Sequence, residues 1–221
     1  MATMVMRDVD IQQDILAELA FDPEVEPTDV GIEVDDGVVT LTGTVETYSK
    51  RWAAERAASR VMGVRALANE VVVKPEGTGM PDDTEIATGI VGAFERNVLI
   101  PKGVDVRVSH GGVTLDGKAQ WYYQRTAAEH VAQAIRGVKW VSNLIEVVQP
   151  PVSKHEIETG IKQAMVRNAV VDADRVHVSV SGGHVTLTGT VRSFAERREA
   201  QDGAWRAKGV TAVTNTIAVQ V

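Results

Sequence analysis

Three stretches of the chain alternate apolar and polar residues with a period of two. They carry Val30, Ile32 and Val34; Val104, Val106 and Val108; and Val176, Val178 and Val180. That period predicts a strand with one buried face. A two-residue turn follows each: Asp36-Gly37, His110-Gly111 and Gly182-Gly183. Such pairs supply the positive φ angles of a type I′ hairpin turn. The returning strand places Val39 and Leu41, Val113 and Leu115, or Val185 and Leu187 on one face. Across a two-residue loop Val34 lies opposite Val39 and Ile32 opposite Leu41, so the two apolar faces coincide. Each returning strand ends in the pattern TLxG, at Gly43, Gly117 and Gly189, spaced 74 and then 72 residues apart.

Periods near 3.6 flank each hairpin. Ahead of it stand Ile11, Ile15 and Leu19; Ile86, Ile90 and Phe94; and Ile157, Ile161 and Met165. Behind it stand Ala54, Ala57, Ala58 and Val61; Ala128, Val131, Ala132 and Ile135; and Ala200, Gly203, Ala204 and Ala207. Both spacings mark one face of a helix. Asp82-x-x-Glu85, Ser153-x-x-Glu156 and Ser193-x-x-Glu196 are capping-box starts. A Gly suited to a helix C-cap follows (Gly63, Gly137, Gly209), then a last strand beginning near Asn69, Asn143 or Asn215.

The pattern predicts an α+β chain of three tandem αββαβ units at residues 8–73, 82–148 and 153–219. Each is a two-layer sandwich, a three-stranded mixed sheet covered on one face by two helices. Residues 74–83 and 149–153 read as Gly/Pro-rich and proline-stiffened linkers.

The spacing V-x-V-x-x-x-G-x-V-x-L-x-G-x-V, a helix, then G-V-x-x-V-x-N-x-I-x-V resembles the BON domain, named for bacterial osmotic-stress and nodulation proteins. The tail motif reads GVRALANEVVV at 63–73, with Leu67 in place of Val, GVKWVSNLIEVV at 137–148 and GVTAVTNTIAV at 209–219. The resemblance covers nearly the whole chain. It implies a non-enzymatic module of bacterial envelope or stress-related proteins that binds phospholipid or an envelope partner. Some intracellular relatives are associated with potassium ions. The family supplies no catalytic motif and no cofactor to carry over.

Composition narrows the picture. With no Cys there is no disulfide framework, thiol catalysis or zinc–thiolate site. A formal net charge of −7 argues against a nucleic-acid partner. There is no nucleophile elbow, phosphate-cradling glycine loop or HExxH, so an enzyme is not expected. No secretory pattern opens the chain, which predicts a cytoplasmic protein, or a periplasmic one if Met1 is a mature start.

The charge is uneven: −9 over residues 8–73, −1 over 82–148 and +2 over 153–219. In and beside its second helix the third unit carries Arg192, Arg197, Arg198, Arg206 and Lys208. With Trp205, these form the candidate surface for anionic phospholipid or an envelope protein. Trp52, Trp121 and Trp140 are candidate interface residues, because sister units place no Trp there. Trp205 aligns with Ser59 and Gln133, which predicts a surface position for it as well. Asp105 and Asp116 should face each other across the second hairpin, a weak candidate cation site. The alternative readings are an intracellular potassium-responsive protein, a protein scaffold, and self-association through the acidic and basic ends.

Overall fold

The computed structural model describes residues 6–75, 79–168 and 174–220. The first repeat runs α1 (Asp8–Phe21), β1 (Val30–Asp35), β2 (Val38–Val45), α2 (Tyr48–Arg60), β3 (Ala66–Asn69) and β4 (Val72–Val73). The second runs α3 (Asp83–Arg96), β5 (Asp105–Ser109), β6 (Gly112–Asp116), β7 (Lys118–Ala119), α4 (Tyr122–Gln133), β8 (Trp140–Asn143) and β9 (Glu146–Val147). The third runs α5 (Lys154–Arg167), β10 (Val176–Ser181), β11 (His184–Val191), α6 (Phe194–Trp205), β12 (Ala212–Asn215) and β13 (Ala218–Val219).

The predicted register holds. Val34 pairs with Val39 and Ile32 with Leu41, and the same offsets recur as Val108 with Val113 and Val180 with Val185. The strand after the second helix lies parallel to the central one, so each sheet is mixed. Val39, Leu41, Val113, Leu115, Val185 and Leu187 are fully buried beneath Ile15, Ile90, Ile161 and the alanines of the second helices. Small alanines let each second helix lie close to its sheet, where a larger residue would hold it off. Asp82 forms a complete capping box, and Ser153 and Ser193 each accept from the backbone of the Glu three residues on.

Two details differ from the sequence reading. The last strand of each repeat is two short strands, broken after Asn69, Asn143 and Asn215. At the break a backbone N–H turns inward and is taken by the Asn side chain: Val71 at 3.2 Å, Ile145 at 3.2 Å and Ile217 at 3.1 Å. The third hairpin turn also departs from type I′. Asp36 and Gly37, and His110 and Gly111, all have positive φ, whereas in the third turn Gly182 does and Gly183 does not.

By contact the chain gathers into two compact units, Met1–Gly43 with Ala53–Val71 and Gln149–Val221, and Thr44–Trp52 with Val72–Val148. The boundary runs through the first repeat. Within the second unit, Tyr48 packs on the core built around Ile86, Ile90 and Leu115. There Ser49 Oγ donates to the Gln133 carbonyl at 3.3 Å, and the Trp52 and His130 rings lie 5.6 Å apart.

Candidate functional site

Not all of the third repeat's basic residues lie at the surface. Arg192, Arg198, Arg206 and Lys208 are exposed, but Arg197 is half-buried. Arg197 Nη2 donates to the Asn215 carbonyl at 3.0 Å, and its guanidinium lies 5.8 Å from the Phe194 ring centroid. Arg125 does the same in the second repeat, donating to the Asn143 carbonyl at 3.0 Å over Tyr122. Arg51 lies over Tyr48 at the matching position of the first. Arg197 is therefore a structural residue of the repeat. Its signal was in the sequence, since an aromatic followed three residues later by Arg opens all three second helices.

Trp205 is a correction to the surface placement. Its side chain is only 7 % exposed, and its counterparts Ser59 and Gln133 are buried too. Polar residues in sister repeats do not make this a surface position, because their polar groups are satisfied locally. Ser59 Oγ donates to the Arg56 carbonyl at 2.7 Å, and Gln133 Nε2 to Glu129 at 3.4 Å. Of the other tryptophans, Trp52 meets His130, Trp121 is half-buried at the start of α4, and Trp140 is 46 % exposed on the open sheet face, its indole lying over Gly112.

Asp105 and Asp116 face each other as the register requires. Arg107 Nη2 lies 3.4 Å from Asp116 Oδ2, and the Gly117 N–H donates to Asp116 Oδ1 at 2.7 Å. An arginine thus relieves the like-charge pair. Among the described residues no group of three or more His, Asp or Glu is placed to hold a metal ion. None of the described helices is long and apolar enough to cross a membrane.

One polar device lay unnoticed in the sequence. The Asp83 carboxylate, in the first turn of α3, accepts the backbone N–H groups of His110 (2.8 Å) and Gly111 (2.9 Å). Asp8 holds Asp36 and Gly37 in the same way, both at 2.9 Å. The third repeat has Lys154 at this position, and there the turn takes its different form. A carboxylate that accepts two adjacent N–H groups favours a turn presenting both on one side; without it that constraint is gone. The Gly111 and His110 N–H groups hold the Asp83 carboxyl below its ordinary value of 3.8. A carboxyl depressed by folding stabilises the fold above its unfolded pKa, and that contribution fades as pH falls through the folded value. Asp83→Ala is expected to lower the melting temperature at neutral pH. The gap from the unmodified protein should begin to close as pH drops below about 4, the unfolded carboxylate range. A gap that stayed constant from pH 7 to pH 2 in calorimetric scans would show that the clamp does not carry the effect.

The BON domain model matches the chain three times, at residues 7–75, 82–149 and 153–221. Osmotically-inducible protein Y of Escherichia coli (strain K12) is 31% identical over 143 residues, covering 62% of this chain and 71% of that protein. An uncharacterized protein in the gshII 5′ region of Anaplasma centrale is 25% identical over 123 residues, covering 53% of this chain and 81% of its own. Among solved structures, the C-terminal domain of CdsD, the structural protein of the type III secretion system of Chlamydia trachomatis, aligns over 98% of this chain and all of that one. Its identity is 16% and its TM-score 0.28, too low to transfer anything. With the hairpin register, the strand break at each Asn and three matches spanning nearly every residue, the chain belongs to the BON-domain family, in three tandem copies.

Proposed function

We propose that the chain is a non-enzymatic, stress-associated binding module whose third repeat engages anionic phospholipid surfaces. The observation that carries this reading is the exposed cationic set on the third repeat, Arg192, Arg198, Arg206 and Lys208, in a chain that is otherwise acidic. The likeness to an osmotically inducible protein supports the stress association. Trp205 and Arg197 drop out of the binding surface, one being buried and the other committed to the Asn215 carbonyl.

A basic residue near an anionic membrane contributes about 1 kcal/mol, within a Debye length of the surface. Reversing Arg192 and Arg198 to Glu therefore costs about 2 kcal/mol or more, on the order of a thirtyfold loss in vesicle binding. Co-sedimentation with phosphatidylglycerol-containing vesicles, against neutral ones, at low and high salt, tests this. The expected result is binding to the anionic vesicles alone, weakened by salt and by the double reversal. Binding unchanged by the reversal, or no binding to anionic vesicles at low salt, would sink the reading.

A further inference from the structure

Each repeat serves as a control for its sisters, and two surfaces of the chain depart from that control in complementary ways. The first is the outer side of α1. Its inner side buries Ile11, Ile15 and Leu19. Its last two turns also turn Leu16, Ala17, Ala20 and Phe21 to solvent, with Phe21 84 % and Leu16 43 % exposed. A contiguous patch of exposed apolar side chains ordinarily marks an interaction surface. The sister repeats place Arg96 and Arg167 where Phe21 stands. Asp14 and Glu18 precede Phe21 by seven and three residues, so they flank it on its own side of the helix.

The second surface is a groove of about 450 Å³ between α5 and α6. In the second repeat Ile135 takes up the part of this space between the helices, its Cγ2 lying 3.5 Å from where a Cβ on Gly89 would be, and the hollow left beside Glu85, Gly89 and Arg96 lies on α3 alone. In the first repeat Val61 holds that position and is buried. In the third repeat the residue is Ala207, and Gly203 stands where the second has Val131. Among the described residues nothing lies within 4 Å of a Cβ built on Gly160 or on Gly203. The groove is floored by small residues and rimmed by Arg167, Arg206 and Lys208, with one carboxylate, Glu156.

We infer that the α1 ridge of one copy of this chain docks in the α5–α6 groove of a second copy. Phe21 fills the space that Ile135 takes within the second repeat. Asp14 faces Arg167 and Lys208, while Glu18 stays paired with Arg60 at 2.8 Å and Arg206 with Glu199 at 3.1 Å. The pairing matches charge as well as shape, since the first repeat carries −9 and the third +2. Both surfaces are exposed within one chain, so the contact runs between chains. It joins unlike patches head to tail, so an open assembly keeps a free ridge at one end and a free groove at the other. A single ridge in a single groove buries less than about 1,000 Å², which gives a weak, reversible contact with a dissociation constant on the order of tens to hundreds of micromolar. The inference does not rest on the lipid reading, and its test contains no lipid.

Sedimentation velocity of the full chain over a wide concentration range makes the measurement. The weight-average mass is expected to rise with concentration, less steeply at high salt. Phe21→Arg and Ala207→Ile each install the residue found in a sister repeat, so both variants should keep the fold. Each alone is expected to stay monomeric across the range. Each destroys only one of the two patches, so an equimolar mixture should form a one-to-one complex and nothing larger. A monomeric mass at all concentrations for the unmodified chain would overturn the inference. So would undiminished association of either variant, or a mixture that stays monomeric while both variants remain folded.

Discussion

Replacing Gly189 with alanine is expected to destabilise the third repeat by about 3 kcal/mol or more, among the larger effects of a single substitution. Two terms add. The residue sits at φ +122°, a region that residues with a side chain rarely occupy. A Cβ there would also overlap the Arg175 carbonyl oxygen. That oxygen cannot swing aside, because it belongs to backbone and accepts the Thr190 N–H at 3.2 Å. Gly43 meets the Asp29 carbonyl in the same way, and Gly117 meets that of Gly103. The recurring TLxG thus marks where a residue just before the first strand brings its carbonyl against the central strand. Gly160→Ala is the matched control, since its Cβ would enter open space on a helix; it should be neutral or gain up to about 1 kcal/mol. Hydrogen exchange read by mass spectrometry localises the result. For Gly189→Ala, peptides from residues 176–219 should lose protection while those from residues 105–147 keep it. Unchanged protection in the third repeat would mean that this close approach can relax at no cost.

Much of this fold is legible in the sequence, because its signals are local. Period two with a two-residue turn fixes which Val faces which, and a Ser or Asp followed by Glu three residues on fixes where a helix starts. What escaped the sequence depends on which group lies across a gap. Arg197 looked like part of a basic patch because its neighbours are charged. Only the fold brings the Asn215 carbonyl, eighteen positions away, within its reach. Trp205 was placed outside because Ser59 and Gln133 are polar, and polarity stood in for exposure where those side chains bond locally. Gly182-Gly183 matched the other turns in composition, but the different turn goes with Lys154, far off in sequence, where the sisters have Asp8 and Asp83. The groove follows from Ala207 standing where the second repeat has Ile135. Its openness needed the distance between two helices, which no periodicity gives.

The Asn at each strand break supports the second large prediction, and the repeats differ there by one residue. Asn143 Nδ2 donates to the Arg125 carbonyl and to Glu129 Oε2, both at 3.0 Å, while its Oδ1 accepts the N–H of buried Ile145. Asn143→Asp keeps that acceptor, removes both donors and sets a second carboxylate against Glu129. A buried group left unpaired costs about 1–3 kcal/mol, and the like charge adds to it, so a loss of about 3 kcal/mol is expected at pH 7. Asn69→Asp should behave alike, because Asn69 donates to Glu55 at 3.0 Å. In the third repeat the partner is Gln201, whose Oε1 lies 3.2 Å from Asn215 Nδ2. An amide can turn over and offer its NH₂ group to the new carboxylate, so Asn215→Asp should cost about 1 kcal/mol less or better. Adding Glu129→Gln to Asn143→Asp should recover the difference, because it rebuilds the third repeat's pairing in the second. Thermal unfolding at pH 7 of the two single variants and the double tests all of this. Equal losses for Asn143→Asp and Asn215→Asp, with no rescue by Glu129→Gln, would show that the Asn acts through its backbone conformation and not through the carboxylate it faces.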